Sequence, residues 1–172
     1  MEKISISTVT PVYAGKLYLP TLVAELAELR AKWESESAPL QLIEAIFVDD
    51  ASVDNSTKIL DELAKQYHWI RVITLSKNFG QHPATVAGIL YSSGDWIATL
   101  DEDLQHRPKY IIDMLKMVAN SQVDIVYAKP IDVVHRNSYR DVLSRSLKQI
   151  LAWVTKNPMM RYFNSFRLIR FL

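Results

Sequence analysis

The feature that most constrains this fold is an alternation. Five apolar runs rich in β-branched residues are separated by four stretches with helical spacing. "ISISTVT" (Ile4 to Thr10), "LIEAIFVDD" (Leu42 to Asp50), "WIRVITL" (Trp69 to Leu75), "DWIATLD" (Asp95 to Asp101) and "VDIVYAK" (Val123 to Lys129) read as strands. Leu19 to Trp33, Ser56 to Tyr67, His82 to Ser93 and Pro108 to Asn120 read as helices, three of them with proline at or near the first turn, where its missing N–H costs nothing. A repeated strand and helix predicts an α/β fold: a mostly parallel sheet covered by helices on both faces. With 172 residues, 49% of them hydrophobic, the chain has enough apolar material for one such core.

In sheets of this kind ligands bind beyond the carboxyl ends of the strands, and the unusual residues of this sequence cluster there. The strands run into "TPVYAG" (Thr10 to Gly15), "VDDASVDNST" (Val48 to Thr57), "LSKNFGQHPAT" (Leu75 to Thr85), "DEDLQH" (Asp101 to His106) and "YAKP" (Tyr127 to Pro130). Asp101, Glu102 and Asp103 are three adjacent acids, and their mutual repulsion exceeds anything a helix cap requires. Asp101 and Asp103 are therefore read as functional. Lys77 and Lys129 on the same rim offer positive charge for an anion held through a divalent cation. Asp54 and Ser56 read more simply as turn and cap residues, and Asn78 and Gly80 as a tight turn at the rim. His82 and His106 read as solvated or hydrogen-bonded rather than as metal ligands.

Several classes of function are excluded or disfavoured. A formal net charge of +1 provides no general attraction to nucleic acid or anionic membranes. The absence of cysteine removes disulfides, thiol nucleophiles and thiolate metal sites. "MEKISISTVTPVY" carries charge at once and no apolar core, so it does not read as a signal peptide. No window reaches the roughly 18 apolar residues of a membrane span, so the chain reads as soluble. A phosphorylated receiver domain would place its acidic pair after the first strand, whereas Asp49 and Asp50 follow the second. A phosphohydrolase would place D-x-D after the first strand, whereas Asp101 to Asp103 follow the fourth. No G-x-G-x-x-G follows any strand.

Five segments, in order, resemble glycosyltransferase family 2, with the GT-A fold, and within it the polyprenyl-phosphate glycosyltransferases. "TPVYAG" resembles the family's P-x-Y-N-E, "VDDASVDNST" its V-D-D-x-S-x-D-x-T, and "GDWIATLDEDLQHRP" its G-D-x-x-x-x-x-D-A-D-L-Q-H-P-P. "YRDVLS" and "FRLIR" resemble its later Y-R-x-x-x-S and F-R-L-x-x-R. The resemblance implies a single catalytic domain over residues 1–172, Rossmann-like, that stops short of the family's C-terminal extent. It implies a nucleotide-diphospho-sugar donor, bound by residues matching Pro11, Tyr13, Val48, Asp50, Asp101, Glu102, Asp103 and Lys129. It assigns Mg²⁺ or Mn²⁺ to Asp101, Asp103 and Gln105, hard oxygen donors suited to either ion. It also assigns the acceptor phosphate to Arg140 and Ser144, which join Asp101 and Asp103 as candidate catalytic residues.

Departures from the family pattern are as informative as the matches. Gly15 stands where relatives usually carry an acid, Glu102 replaces a small residue, and "FNSFRLIR" lacks a glycine before its phenylalanine. After Lys129 the only acids are Asp132 and Asp141, so no clear carboxylate base is evident. A phosphate acceptor needs none, because a phosphate monoester has its second pKa at about 6 and is largely a dianion near neutrality. The expected reaction is thus inverting transfer from a nucleotide-sugar to polyprenyl phosphate. Transfer to a saccharide in surface polysaccharide synthesis, or a non-catalytic nucleotide-binding or receiver-like module, are the alternatives. The stretch from Tyr139 to Lys156 has an apolar helical stripe beside basic residues, which suits either a membrane interface or a core helix. The expected location is cytoplasmic, at the inner face of a membrane, with further membrane helices in relatives.

Overall fold

The computed structural model describes residues 3–36, 38–119, 121, 123–128 and 165–171. Along them run β1 (Ile4–Val12), α1 (Leu19–Ser35), β2 (Leu40–Asp49), α2 (Ser56–Gln66), β3 (Ile70–Thr74), α3 (Gln81–Leu90), β4 (Trp96–Thr99), a 3₁₀ turn (Pro108–Tyr110), α4 (Ile111–Ala119), β5 (Ile125–Tyr127) and β6 (Arg167–Arg170). The six strands form one sheet in the order β3-β2-β1-β4-β6-β5. β1 pairs in parallel with β2 and β4, and β2 with β3. β6 is antiparallel to both β4 and β5. The expected parallel sheet is therefore present, with one addition: "RLIR" forms a strand between the fourth and fifth, so β5 does not lie directly beside β4.

Side-chain alternation along each strand divides the core in two. Leu19, Leu22, Val23, Leu26, Leu29 and Trp33 form the apolar stripe of α1, recurring at three and four residues. They pack with Phe47 of β2, Ala98 of β4, Leu60 of α2 and Ile111 of α4 on one face of the sheet. On the other face Val9, Ile46, Val48 and Ile97 pack beneath Ala84 of α3. That helix changes face because the chain, after stepping outward from β1 to β3, returns past β1 to place β4, and a right-handed crossover then lies on the opposite side. The order of strands consequently reverses between β1 and β4. This is the point at which ends of parallel strands diverge and leave a crevice.

Pro11 illustrates how closely the sequence follows this geometry. It is paired with Val48 of β2, yet its missing N–H faces the other side of β1. There the pairing with β4 has already ended at Val9 and Thr99. A proline is tolerated because the ladder asks for no donor at that position.

The opposite end of the sheet is closed by a buried polar knot. The Glu44 carboxylate accepts hydrogen bonds from the Ser7 hydroxyl at 2.8 Å, the Ser93 N–H at 2.7 Å and the Ser93 hydroxyl at 2.8 Å, and Arg71 at 2.6 Å. Beside it, Asp95 accepts from the Ser5 N–H and hydroxyl at 2.7 and 2.6 Å. These bonds seat the α3–β4 connection against β1 and hold β4 in register.

Candidate active site

A cleft of about 430 Å³ opens at the carboxyl ends of the strands, at the β1/β4 divergence. Its walls come from Pro11, Val12 and Tyr13 after β1, Asp50 after β2, Asn78, Gly80 and Gln81 before and at the start of α3, Asp101, Glu102 and Asp103 after β4, and Ser165 before β6. Six of the residues singled out in the sequence therefore share one wall system: Pro11, Tyr13, Asp50, Asp101, Glu102 and Asp103.

Each acid is held in a different way. Asp50 is 2% exposed, and its two oxygens accept the N–H groups of Phe79 at 2.7 Å and Gly80 at 2.8 Å. It thereby shapes the β3–α3 loop, in which Gly80 adopts a φ of 93°, a conformation suited to glycine. Asp101 accepts from the Gln81 amide at 2.6 Å and from the Ser165 hydroxyl, and lies 3.7 Å from His106 Nδ1. The His106 ring leans on Phe166, and its Nδ1 is buried without a hydrogen-bond partner. Asp103 Oδ1 accepts the N–H of Gln105 at 3.0 Å in a turn completed by Leu104 at a φ of 60°. Glu102 points away from its neighbours, toward the loop after β1, where it accepts N–H groups of Tyr13 and Ala14 at 3.0 and 3.2 Å. Burial pushes the Glu102 carboxyl above its ordinary range; the two N–H groups oppose that shift, and the charges of Asp54 and Asp103 add to it.

The remaining acids of "VDDASVDNST" are structural. Asp49 binds the Ser52 N–H and hydroxyl at 2.9 and 2.5 Å and the Thr57 hydroxyl at 2.6 Å. Asp54 accepts the N–H and hydroxyl of Ser56 at the start of α2 and the N–H of Lys16. Its own burial is outweighed by these donors and by the Lys16 charge, which hold its carboxyl below the usual range.

Three expected site residues, Val48, Gln105 and Lys77, are placed outside the cleft, and three more, Lys129, Arg140 and Ser144, lie outside the described residues. Val48 does not reach the cleft: it is fully buried under α3, because consecutive residues of β2 face opposite sides of the sheet. Gln105 is exposed and outside the lining, its N–H engaged with Asp103. Lys77 stands over the Phe79 ring at 5.2 Å and does not line the cleft. Lys129, Arg140 and Ser144, with the whole Tyr139 to Lys156 stretch, fall outside the described residues. Conversely, Gln81 and Ser165 were not singled out. Their signal was position alone: Gln81 follows the rim glycine, and Ser165 directly precedes "FRLIR".

A divalent cation fits this donor set under one condition. Among the described residues no three His, Cys, Asp or Glu side chains converge on one point. Asp101 and Asp103 both face the cleft, and Mg²⁺ typically takes one or two protein carboxylates with the rest of its shell from phosphate and water. The residues therefore suit a cation that arrives with a diphosphate.

Comparison with known proteins agrees with this geometry. The model of "Glycosyl transferase family 2" matches residues 7–171. The undecaprenyl-phosphate 4-deoxy-4-formamido-L-arabinose transferase of Yersinia enterocolitica is 36% identical over 170 residues, covering 94% of this chain and 47% of the relative. That of Proteus mirabilis is 40% identical over 128 residues, 73% of this chain and 37% of the relative. The chain thus spans less than half the length of these curated relatives. A mannosyltransferase from Pyrobaculum calidifontis in complex with GDP-Man and Mn²⁺ superposes with a TM-score of 0.64 at 14% identity, over 98% of this chain and 45% of that one. S. aureus TarS in complex with UDP-GlcNAc superposes with a TM-score of 0.58 at 18% identity, over 78% and 37%. Such likeness shows the GT-A fold. With matching motifs in order, a cleft at the expected strand ends and a family model spanning nearly the whole chain, this protein belongs to glycosyl transferase family 2.

Proposed function

We propose that the cleft binds a nucleotide-diphospho-sugar and that the protein transfers its sugar, with inversion, to a polyprenyl phosphate. The observation that carries this reading is the convergence of Tyr13, Asp50, Asp101 and Asp103 on one cleft at the β1/β4 divergence. Tyr13, 41% exposed, offers a ring face to the nucleobase, and Asp50 fixes the loop opposite it. Asp101 and Asp103 would hold the divalent cation that accompanies the diphosphate, whereas Gln105, exposed outside the cleft, is not assigned to it. When bound, the cation supplies charge stabilisation for the departing nucleoside diphosphate. Gln81 and Ser165 fix the Asp101 carboxylate so that it need not reorganise.

In the reaction an acceptor phosphate oxygen forms a bond to the anomeric carbon while the bond from that carbon to the diphosphate oxygen breaks. The nucleoside diphosphate leaves with the bonding pair. The acceptor is mostly dianionic at neutral pH, so no protein base has to remove a proton. A lipid-linked acceptor accords with the undecaprenyl-phosphate transferases among the relatives. Among the described residues no helix is long and apolar enough to cross a membrane. The proposed association with a membrane therefore rests on the acceptor.

Calorimetric titration with UDP- and GDP-sugars, with and without Mn²⁺, tests the donor. Asp103→Ala is expected to weaken the Mn²⁺-dependent part of binding by at least roughly tenfold. No binding by the parent, or equal binding by the variant, overturns the assignment. Product formed from a short polyprenyl phosphate but not from a soluble sugar supports the acceptor; the reverse result moves it to a saccharide.

A further inference from the structure

Two residues stand outside the proposed chemistry: Glu102, the middle acid of the turn after β4, and Gly15, in the loop between β1 and α1. They meet. Glu102 Oε2 accepts the Tyr13 N–H at 3.0 Å and Oε1 the Ala14 N–H at 3.2 Å. A Cβ on residue 15 would stand 2.7 Å from that same Oε2 and 3.2 Å from Leu19 Cγ. The space that a side chain at position 15 would need is filled by the carboxylate of residue 102.

The loop from Tyr13 to Lys16 is also pinned from the side of β2. The Tyr13 carbonyl accepts the Val53 N–H at 3.1 Å, and the Lys16 N–H donates to Asp54 at 3.1 Å. The Gly15 carbonyl accepts the N–H groups of Tyr18 and Leu19, which begins α1. Toward β4, the pin among the described residues is Glu102. Its neighbours Asp101 and Asp103, the proposed cation ligands, line the same cleft as Tyr13, proposed to face the nucleobase.

We propose that Glu102 is a positioning residue: its carboxylate clasps the Tyr13–Ala14 backbone, with Gly15 making room for it, and so sets the spacing between the nucleoside wall and the cation wall. The inference rests on reading the cleft as a nucleotide-sugar site. Glutamine cannot substitute, because its NH₂ would confront one of two N–H donors. Two acceptor oxygens are required at once.

The test compares Glu102→Gln, Gly15→Ala and the double variant. Each single variant is expected to raise the Kd for a nucleoside diphosphate with Mn²⁺, and the KM for the nucleotide-sugar, roughly tenfold. In polyprenyl-phosphate assays kcat is expected to stay within about threefold, since the lost interaction is equal in ground and transition states. The double variant is expected to be no worse than either single one, because both break the same clasp. Amide exchange at Tyr13 and Ala14 is expected to accelerate in both, with α1 unchanged. Gly15→Ala reaches the clasp without altering the carboxylate, which keeps the inference testable if Glu102→Gln fails to fold.

Single effects that multiply in the double variant, unchanged exchange at Tyr13 and Ala14, or a fall in kcat at constant KM each overturn the clasp. A parent that binds no nucleoside diphosphate overturns the proposed function and the donor-positioning role together. Binding by the parent that Glu102→Gln leaves unchanged overturns this inference alone.

Discussion

Asp49 and Asp50 are chain neighbours that act on different loops. Asp49 closes its own β2–α2 turn through Ser52 and Thr57. Asp50 reaches across to the N–H groups of Phe79 and Gly80. Replacing Asp50 by asparagine would set an NH₂ against one of these donors at a position that is 2% exposed. Leaving a buried donor unpaired costs about 1–3 kcal/mol, or a Tm fall of roughly 3–10 °C in a domain of this size. Thermal unfolding of Asp50→Asn measures that loss, and titration should show weaker donor binding because the β3–α3 wall loosens. The acids of this site were legible in the sequence because crowded charge at a strand end has no cheap structural excuse. Gln81 and Ser165 were not, since neutral polar residues carry no such cost and acquire meaning only through contact with Asp101. Val48 misled for the converse reason: it sits in a motif beside two acids, and one step along a strand turns it to the opposite face.

At the level of elements, the alternation of strands and helices was legible because each segment buries one face over a short stretch of chain. β6 was not read as a strand. Its four residues alternate weakly, and its place between β4 and β5 is fixed by pairing with segments about 40 to 74 residues earlier. The packing of α3 was equally hidden. Gly88 lies so close to β1 that an added Cβ would clash with Val9 Cγ1 and meet Val48 Cγ2 at 3.1 Å. Both are stiff β-branched side chains in the core, so the helix would have to move outward. Gly88→Ala is expected to destabilise by about 1–3 kcal/mol despite the better helix propensity of alanine. Chemical denaturation tests this, and a stabilised variant would mean that α3 has slack against the sheet. Because Asn78, Gly80 and Gln81 precede or begin the same helix, displacement of α3 should also weaken donor binding.

The whole molecule separates two kinds of acid by distance along its strands. At the carboxyl ends Asp101, Glu102 and Asp103 are crowded. At the other end Glu44 is buried in the knot of Ser7, Arg71 and Ser93 that keeps β4 in register with β1. Burial pushes the Glu44 carboxyl up, but the donors from Arg71, Ser7 and Ser93 together outweigh it and hold the group below its ordinary 4.5. The sign of the consequence follows. With the folded pKa below the unfolded one, the unfolded chain binds the proton first as pH falls, so this stabilisation is complete above about 4.5 and is lost as pH drops through the folded value. Glu102 has the opposite sign, since its raised carboxyl makes the folded state relatively more favourable as the charge is removed. Acid should therefore weaken the knot remote from the cleft, as it weakens the Asp54 turn after β2, while it eases the burial of Glu102. Glu44→Ala leaves Arg71 nearly half exposed and able to turn to water. The loss should thus lie near the lower end of the range for breaking a buried pair, about 3 kcal/mol at neutral pH. The gap between parent and variant, measured by urea unfolding, should narrow as pH falls below about 4.5. A gap that is constant with pH would mean that Glu44 acts through packing alone, and that β4, with the acids it carries to the cleft, is held by the sheet rather than by the knot.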